Sequence, residues 1–161
     1  MFIINSVTAM TSIRDNLRSN LTSPYTLAGA TLGTGVNWIF SNEPILSAKY
    51  PLIIIEKIDN PSVPISIGDA YSEFEQLFLI VKFHTKNGFK VTISGTEYLN
   101  SQLVEYYQSL IKTTLKAQFN PLFALGVKNY KAINTSRVEY DGDTQLYFGF
   151  VTIRVAYFHL T

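Results

Sequence analysis

Between Glu73 and Thr85 the chain alternates apolar and polar residues. Leu77, Leu79, Val81 and Phe83 fall on one side of an extended backbone, and Gln76, Phe78, Ile80, Lys82 and His84 on the other. A period of two belongs to a strand with one face against a core, and a slip of one residue would turn every apolar side chain to water. This stretch therefore demands partner strands and a covering layer. Asn87-Gly88 follows it. That dipeptide suits a type I′ turn and predicts Phe89–Ile93 as the returning strand of a hairpin. A second hairpin is expected where Ala132–Tyr140 leads into Asp141-Gly142-Asp143 and Gln145–Phe158 leads out. In that turn Gly142 is expected to carry the positive φ. Val36–Phe40 and Leu52–Ile58 read as two further strands.

Two segments have helical spacing instead. Over Thr8–Leu21, the residues Val7, Met10, Ile13, Leu17 and Leu21 recur every three or four positions, and Pro24 closes the segment. Over Glu97–Phe119, Leu99, Leu103, Tyr106, Leu110 and Ala117 form one stripe, and Tyr107, Ile111, Leu115 and Phe119 widen it. Ser94-Gly95-Thr96-Glu97 fits a capping box at its start, and Asn120-Pro121 ends it. The expected order is a helix, four strands, a long helix and a long C-terminal β-hairpin. Antiparallel hairpins beside separate helices define an α+β class with a mainly antiparallel sheet. A length of 161 residues suits one domain over 1–161. The last strand would extend about 45 Å, so it must cross the whole sheet, bend or project.

Composition narrows the function. Charged residues make up 16% of the chain and the formal net charge is +1, against about 25% charged in an ordinary soluble domain. Interfaces between subunits deplete charge at their centres, so a surface this neutral suggests that copies cover one another. Cysteine is absent, which removes disulfide and thiol chemistry. Met1–Ile4 has no basic flank and the apolar runs are short, so the expectation is a protein without membrane contact, made in the cytoplasm.

No chemical motif reaches the pattern its chemistry requires. Gly29, Gly33 and Gly35 are not followed by the lysine of a phosphate loop. His84 and His159 are the two histidines and lie near ends of long strands. They would meet if those strands paired end to end, but a zinc site needs further ligands. Asp141 and Asp143 around Gly142 resemble a fragment of a calcium loop, yet turn chemistry accounts for the triplet. Glu73 and Glu75 share a strand face without a pocket to separate their acidities. The chain is read as a non-enzyme with no cofactor and no metal.

Charge order is the informative feature. Glu56, Asp59, Asp69, Glu73 and Glu75 form an acidic block with Lys57 as its one base, and Lys112, Lys116, Lys128, Lys131 and Arg137 form a basic block without an acid. Three readings fit: two solvated faces, a basic lining for a DNA channel, or an acidic face of one copy meeting the basic face of the next. The last contact is heterologous and closes into rings or runs into filaments. With the Asp141-Gly142-Asp143 hairpin tip, these residues are the candidate subunit interface.

The order of elements resembles the tail terminator or tail completion proteins of tailed viruses. It is carried by Tyr50-Pro51-Leu52-Ile53-Ile54-Ile55 entering a strand, then Phe74–Phe83, Leu99–Leu115 and the closing Tyr147–Tyr157. The resemblance implies a virion structural protein forming a hexameric ring at the head–tail junction. Its partners would be itself, the tail tube and the neck or connector, with DNA passing through the ring without sequence-specific binding. The alternatives are another small tail or neck subunit, such as a tube or connector protein, and a non-viral ligand-binding module that uses aromatic strands as a pocket wall.

Overall fold

The computed structural model describes residues 5–29, 37–42, 44, 48–67, 70–118 and 127–160. Its elements in chain order are α1 (Ser6–Asn20), α2 (Pro24–Leu27), β1 (Ile39–Ser41), β2 (Leu52–Asp59), β3 (Ser62–Ile67), β4 (Ala70–Lys86), β5 (Lys90–Ile93), β6 (Thr96–Leu99), α3 (Asn100–Ala117), β7 (Val127–Thr135), β8 (Glu139–Asp141) and β9 (Leu146–Leu160). The class is α+β with a mainly antiparallel sheet, as the alternation requires.

The spine of the sheet is the pair β4–β9, matched residue for residue from Lys86 opposite Leu146 to Ser72 opposite Leu160. The last strand therefore crosses the whole sheet. On one side of the spine the chain runs as β2 and then β3, both antiparallel to β4, interrupted at Asn60-Pro61. On the other side β7 pairs with the C-terminal part of β9 and β8 with its start. The order across the sheet is β1-β2-β4-β9-β7, and β1 joins β2 in parallel.

Helices α1 and α3 share one face of this sheet. Ala9, Met10, Ile13 and Leu17 of α1 and Leu103, Val104, Tyr107, Ile111 and Leu115 of α3 form one core with Leu77, Leu79, Val81 and Phe83 of β4 and Val151, Ile153, Val155 and Tyr157 of β9. Phe83 and Tyr107 stack with ring centroids 4.4 Å apart, and the Tyr107 hydroxyl donates to the Thr22 carbonyl at 2.7 Å. Asn5 caps α1 by accepting from the Thr8 backbone N–H at 2.9 Å, which satisfies one of the free donors of the first turn. Arg18 fixes α1 to β1, its Nε and Nη2 donating to the Ile39 carbonyl at 3.0 and 2.6 Å. Val7, expected on the buried stripe, is 64% exposed at the start of α1, and Ala9 is buried instead.

Four expectations are corrected. Asn87-Gly88 does not return a strand against β4. Both edges of β4 are already filled there, by β2 at His84–Leu52 and by β9 at Lys86–Leu146, and a strand has only two edges to pair. Of the dipeptide only Gly88 has positive φ, at 83°, whereas a type I′ turn needs it at both positions. The chain instead makes a separate hairpin, β5–β6, turning at Ser94 (φ 49°) and Gly95 (φ 82°) with Ile93 opposite Thr96. That is the second correction: Ser94–Glu97 is a hairpin, not a capping box, and α3 begins at Asn100 with no side-chain cap. Glu97 pairs with Lys90 at 3.4 Å. Third, Asp59–Ser72, where no strand is expected from the sequence, contains β3 and the start of β4. Fourth, the positive φ of the last hairpin turn lies at Gln145, at 57°, and not at Gly142. Asn120-Pro121, Gly33 and Gly35 lie outside the described residues.

Candidate assembly surface

With both long helices on one face, the opposite face of the sheet carries the outward half of the alternation. Register sets its rows. Leu52, His84 and Phe148 form one, Ile54, Lys82 and Phe150 the next, and Glu56, Ile80 and Thr152 the next. A further row runs Asp59, Phe78, Arg154, Lys131, passing from an acid on β2 to two bases on β9 and β7. Three strand gaps of about 4.8 Å separate its ends, or roughly 14 Å. In this row opposite signs thus stand at opposite edges of the sheet, while Lys57 is exposed on β2 and Glu139 on β8.

The candidate residues divide as follows. Glu56 is half-buried and Asp59 exposed on β2, and Lys131 is exposed on β7. Lys128 belongs to the same strand. Glu73 lies on β4 opposite Pro64 and His159, and Asp69 lies outside the described residues. Glu75 is committed within the fold: it accepts hydrogen bonds from the Tyr157 hydroxyl and from Asn60 Nδ2, at 3.1 Å for the latter, across the β2–β3 interruption. Burial, with the neighbouring Glu75 carboxylate, pushes the Tyr157 hydroxyl well above its ordinary range. Lys112 and Lys116 are exposed on α3, in the helical layer, so the basic block is split between two layers. Arg137 lies 3.8 Å from Glu139.

At the hairpin tip, Asp141 Oδ1 accepts from the Asp143 N–H at 3.0 Å and its Oδ2 from the Thr144 hydroxyl at 2.7 Å. These bonds hold the Asp141 carboxyl below the usual carboxylate range, and they make the triplet a turn of the kind its side chains favour.

The two histidines do not meet. His84 stands opposite Phe148 and His159 opposite Glu73, eleven residues further along the β4 ladder, or about 36 Å. His84 packs beside Tyr50 and Phe148 with its buried Nδ1 unpartnered. Burial, reinforced by the Lys82 charge, pushes its pKa down to about 4, so it is neutral near pH 7. Among the described residues no three His, Cys, Asp or Glu converge to hold a metal ion, and no helix is long and apolar enough to cross a membrane. A shallow hollow of about 310 Å³ between β6 and the start of α3 is lined by Tyr98, Tyr106, Glu97 and Glu105 among others.

The sequence reading missed Ile58 and Ile133, large apolar residues that are 53% and 49% exposed. Both sit where the register shifts, Ile58 between Lys57 and Asp59 and Ile133 between Ala132 and Asn134.

No family model matches the sequence, and no curated protein matches it. Among solved structures, a chain from the virion of a native gene transfer agent (GTA) particle aligns with a TM-score of 0.33 at 9% identity, over 92% of this chain and 92% of that one. A likeness at that level identifies neither a family nor a role.

Proposed function

We propose that the chain is a structural subunit of a tailed, virus-like particle, working by assembly into a ring, and that the ring sits at the head–tail junction. The observation that carries the assembly reading is the sorting of charge across the sheet: Asp59 and Glu56 on one flank, Lys131 and Arg154 toward the other, in a chain with only 16% charged residues. Two flanks of opposite sign on one subunit favour head-to-tail contact between copies, and complementary potentials fix the orientation of that contact. The placement at the head–tail junction, the sixfold stoichiometry and the contacts with tube and neck rest on the order of elements, which resembles tail terminator proteins. Ligand binding is the second reading, favoured by the hollow beside Tyr98 and Tyr106.

Light scattering and negative-stain microscopy of the purified chain test the assembly reading. Concentration-dependent association into annular particles, weakened by added salt, is expected. A strict monomer at high concentration and low salt refutes it. Mass spectrometry of purified particles tests the location, with the chain expected at a few copies per particle; its absence from them refutes the virion assignment.

A further inference from the structure

We infer that the seam between neighbouring copies is the β2 edge of one against the β7 edge of the next, centred on Ile58 and Ile133 and aligned by Asp59 opposite Lys131. This rests on the assembly reading above and specifies its contact.

Among the described residues both edges are open. The described pairing of β1 with β2 ends at Ser41–Ile55, so β2 has no outer partner among the described residues from Glu56 onward, and β7 ends the strand order. β2 carries one register shift and β7 two, and the shift at Lys57–Asp59 and the one at Ala132–Asn134 each display an exposed isoleucine. Exposed isoleucines on open strand edges are the aggregation hazard that soluble proteins avoid. Here they occur in a matched pair.

The pair is matched in level to within about one residue, or roughly 3.3 Å along the strands. Lys57, Leu79, Ile153 and Ala132 form one row across the sheet, and the extra residues Ile58 and Ile133 lie immediately on either side of that row. Asp59 and Lys131 end the adjacent row. A neighbour placed edge to edge with Asp59 level with Lys131 therefore meets acid with base and brings the two isoleucines within about one residue of each other along the strands. Absence of translation along the strand direction is a condition for a contact that closes when strands lie along the ring axis. Strand polarity also agrees, because β2 and β7 run in opposite directions. The register shifts interrupt the ladder near the C-terminal end of β2 and of β7, so side chains, not a continuous run of backbone bonds, make the contact at the isoleucines.

Two measurements decide it. The chain has no cysteine, so introduced thiols report cleanly. With a short bifunctional thiol cross-linker, the Ile58→Cys/Ile133→Cys chain should give a ladder of multimers. A mixture of Ile58→Cys and Ile133→Cys chains should give dimers, and Ile58→Cys alone should stay monomeric on a denaturing gel. Second, Asp59→Lys or Lys131→Asp should each weaken association at least about tenfold by placing like charges together, and the double variant should recover most of the loss. Both side chains are exposed, so circular dichroism should show an unchanged fold. Association of the wild type that neither swap alters overturns the seam alone, as does cross-linking by Ile58→Cys by itself. A wild-type chain that never associates overturns the ring and the seam together.

Discussion

Gly149→Ala should be the most costly single-methyl change at the junction of helix and sheet. Gly149 lies on β9 opposite Phe83, on the face covered by α3. A Cβ there would stand 2.6 Å from Gln108 Nε2 and 2.9 Å from Val104 Cγ1, inside the distance at which real side chains coexist. Val104 is β-branched in a helix and has little rotameric freedom to yield. Gln108 is 3% exposed, and its Nε2 donates to the Ser136 carbonyl at 3.1 Å and the Phe150 carbonyl at 3.3 Å. Displacing it strips a donor from the Ser136 carbonyl at the break between β7 and β8 and from the Phe150 carbonyl of β9. Overpacking a tight site costs about 1–3 kcal/mol, and leaving a buried polar group unpaired costs a similar amount. A combined loss of about 2–4 kcal/mol is expected, because the two responses are partly alternatives. Urea unfolding followed by circular dichroism should show a lower midpoint at an unchanged slope. Gln108→Ala in the same background is the control. It removes the nearer obstacle, so the double variant should be more stable than the sum of the single losses by about 1 kcal/mol or more. Val104 still crowds the methyl, and the double variant stays below wild type. Additive losses, or Gly149→Ala within about 0.5 kcal/mol of wild type, would refute the close-approach account.

Two further outcomes follow from single residues. The unfolded chain protonates His84 near its ordinary pKa of 6.5, while the folded chain resists until about 4, so His84 lets stability drain as pH falls through that window and has no such effect above it. Between pH 7 and 4.5 the wild type should lose about 2 kcal/mol more than His84→Phe, measured by urea unfolding at both pH values; equal losses would remove His84 as the cause. Gln145→Gly should stabilise the chain by roughly 0.5–1 kcal/mol, because glycine relieves the left-handed backbone at φ 57°, and a lower melting temperature would contradict this.

The fold was legible where its cause is local. The alternation through Leu77, Leu79, Val81 and Phe83 specifies a one-sided strand without reference to the rest of the chain, and these side chains are fully buried. The stripe from Met10 to Leu17 specifies α1 in the same way. Reading failed where distant segments decide. Asn87-Gly88 carries the chemistry of a hairpin turn, but β2 and β9 had taken both edges of β4. Ser94 and Glu97 suit a helix cap and a hairpin equally, and the β5–β6 hairpin claimed them, Ser94 in its turn and Glu97 in β6. In Ser62–Ile67 the apolar alternation of Val63, Ile65 and Ile67 was present, but Pro64 hid it; an outer strand tolerates proline because one side needs no ladder donor.

The assembly surface shows the same division. Acidic and basic blocks are visible in the linear sequence, yet a block is not a patch until the chain folds. Folding withdraws Glu75 into hydrogen bonds with Tyr157 and Asn60, and it sends Lys112 and Lys116 to the helical layer. What remains on the two sheet edges is sparser than the blocks suggested and better placed, since Asp59 and Lys131 end one row. Ile58 and Ile133 had no sequence signal because a register shift belongs to two strands at once, and each isoleucine faces outward only because its partner strand skips it. Deleting either extra residue would leave the flanking pairs as they stand, Lys57 opposite Leu79 and Asp59 opposite Phe78 on β2, and Ala132 opposite Ile153 and Asn134 opposite Thr152 on β7, so the ladder does not require these two isoleucines.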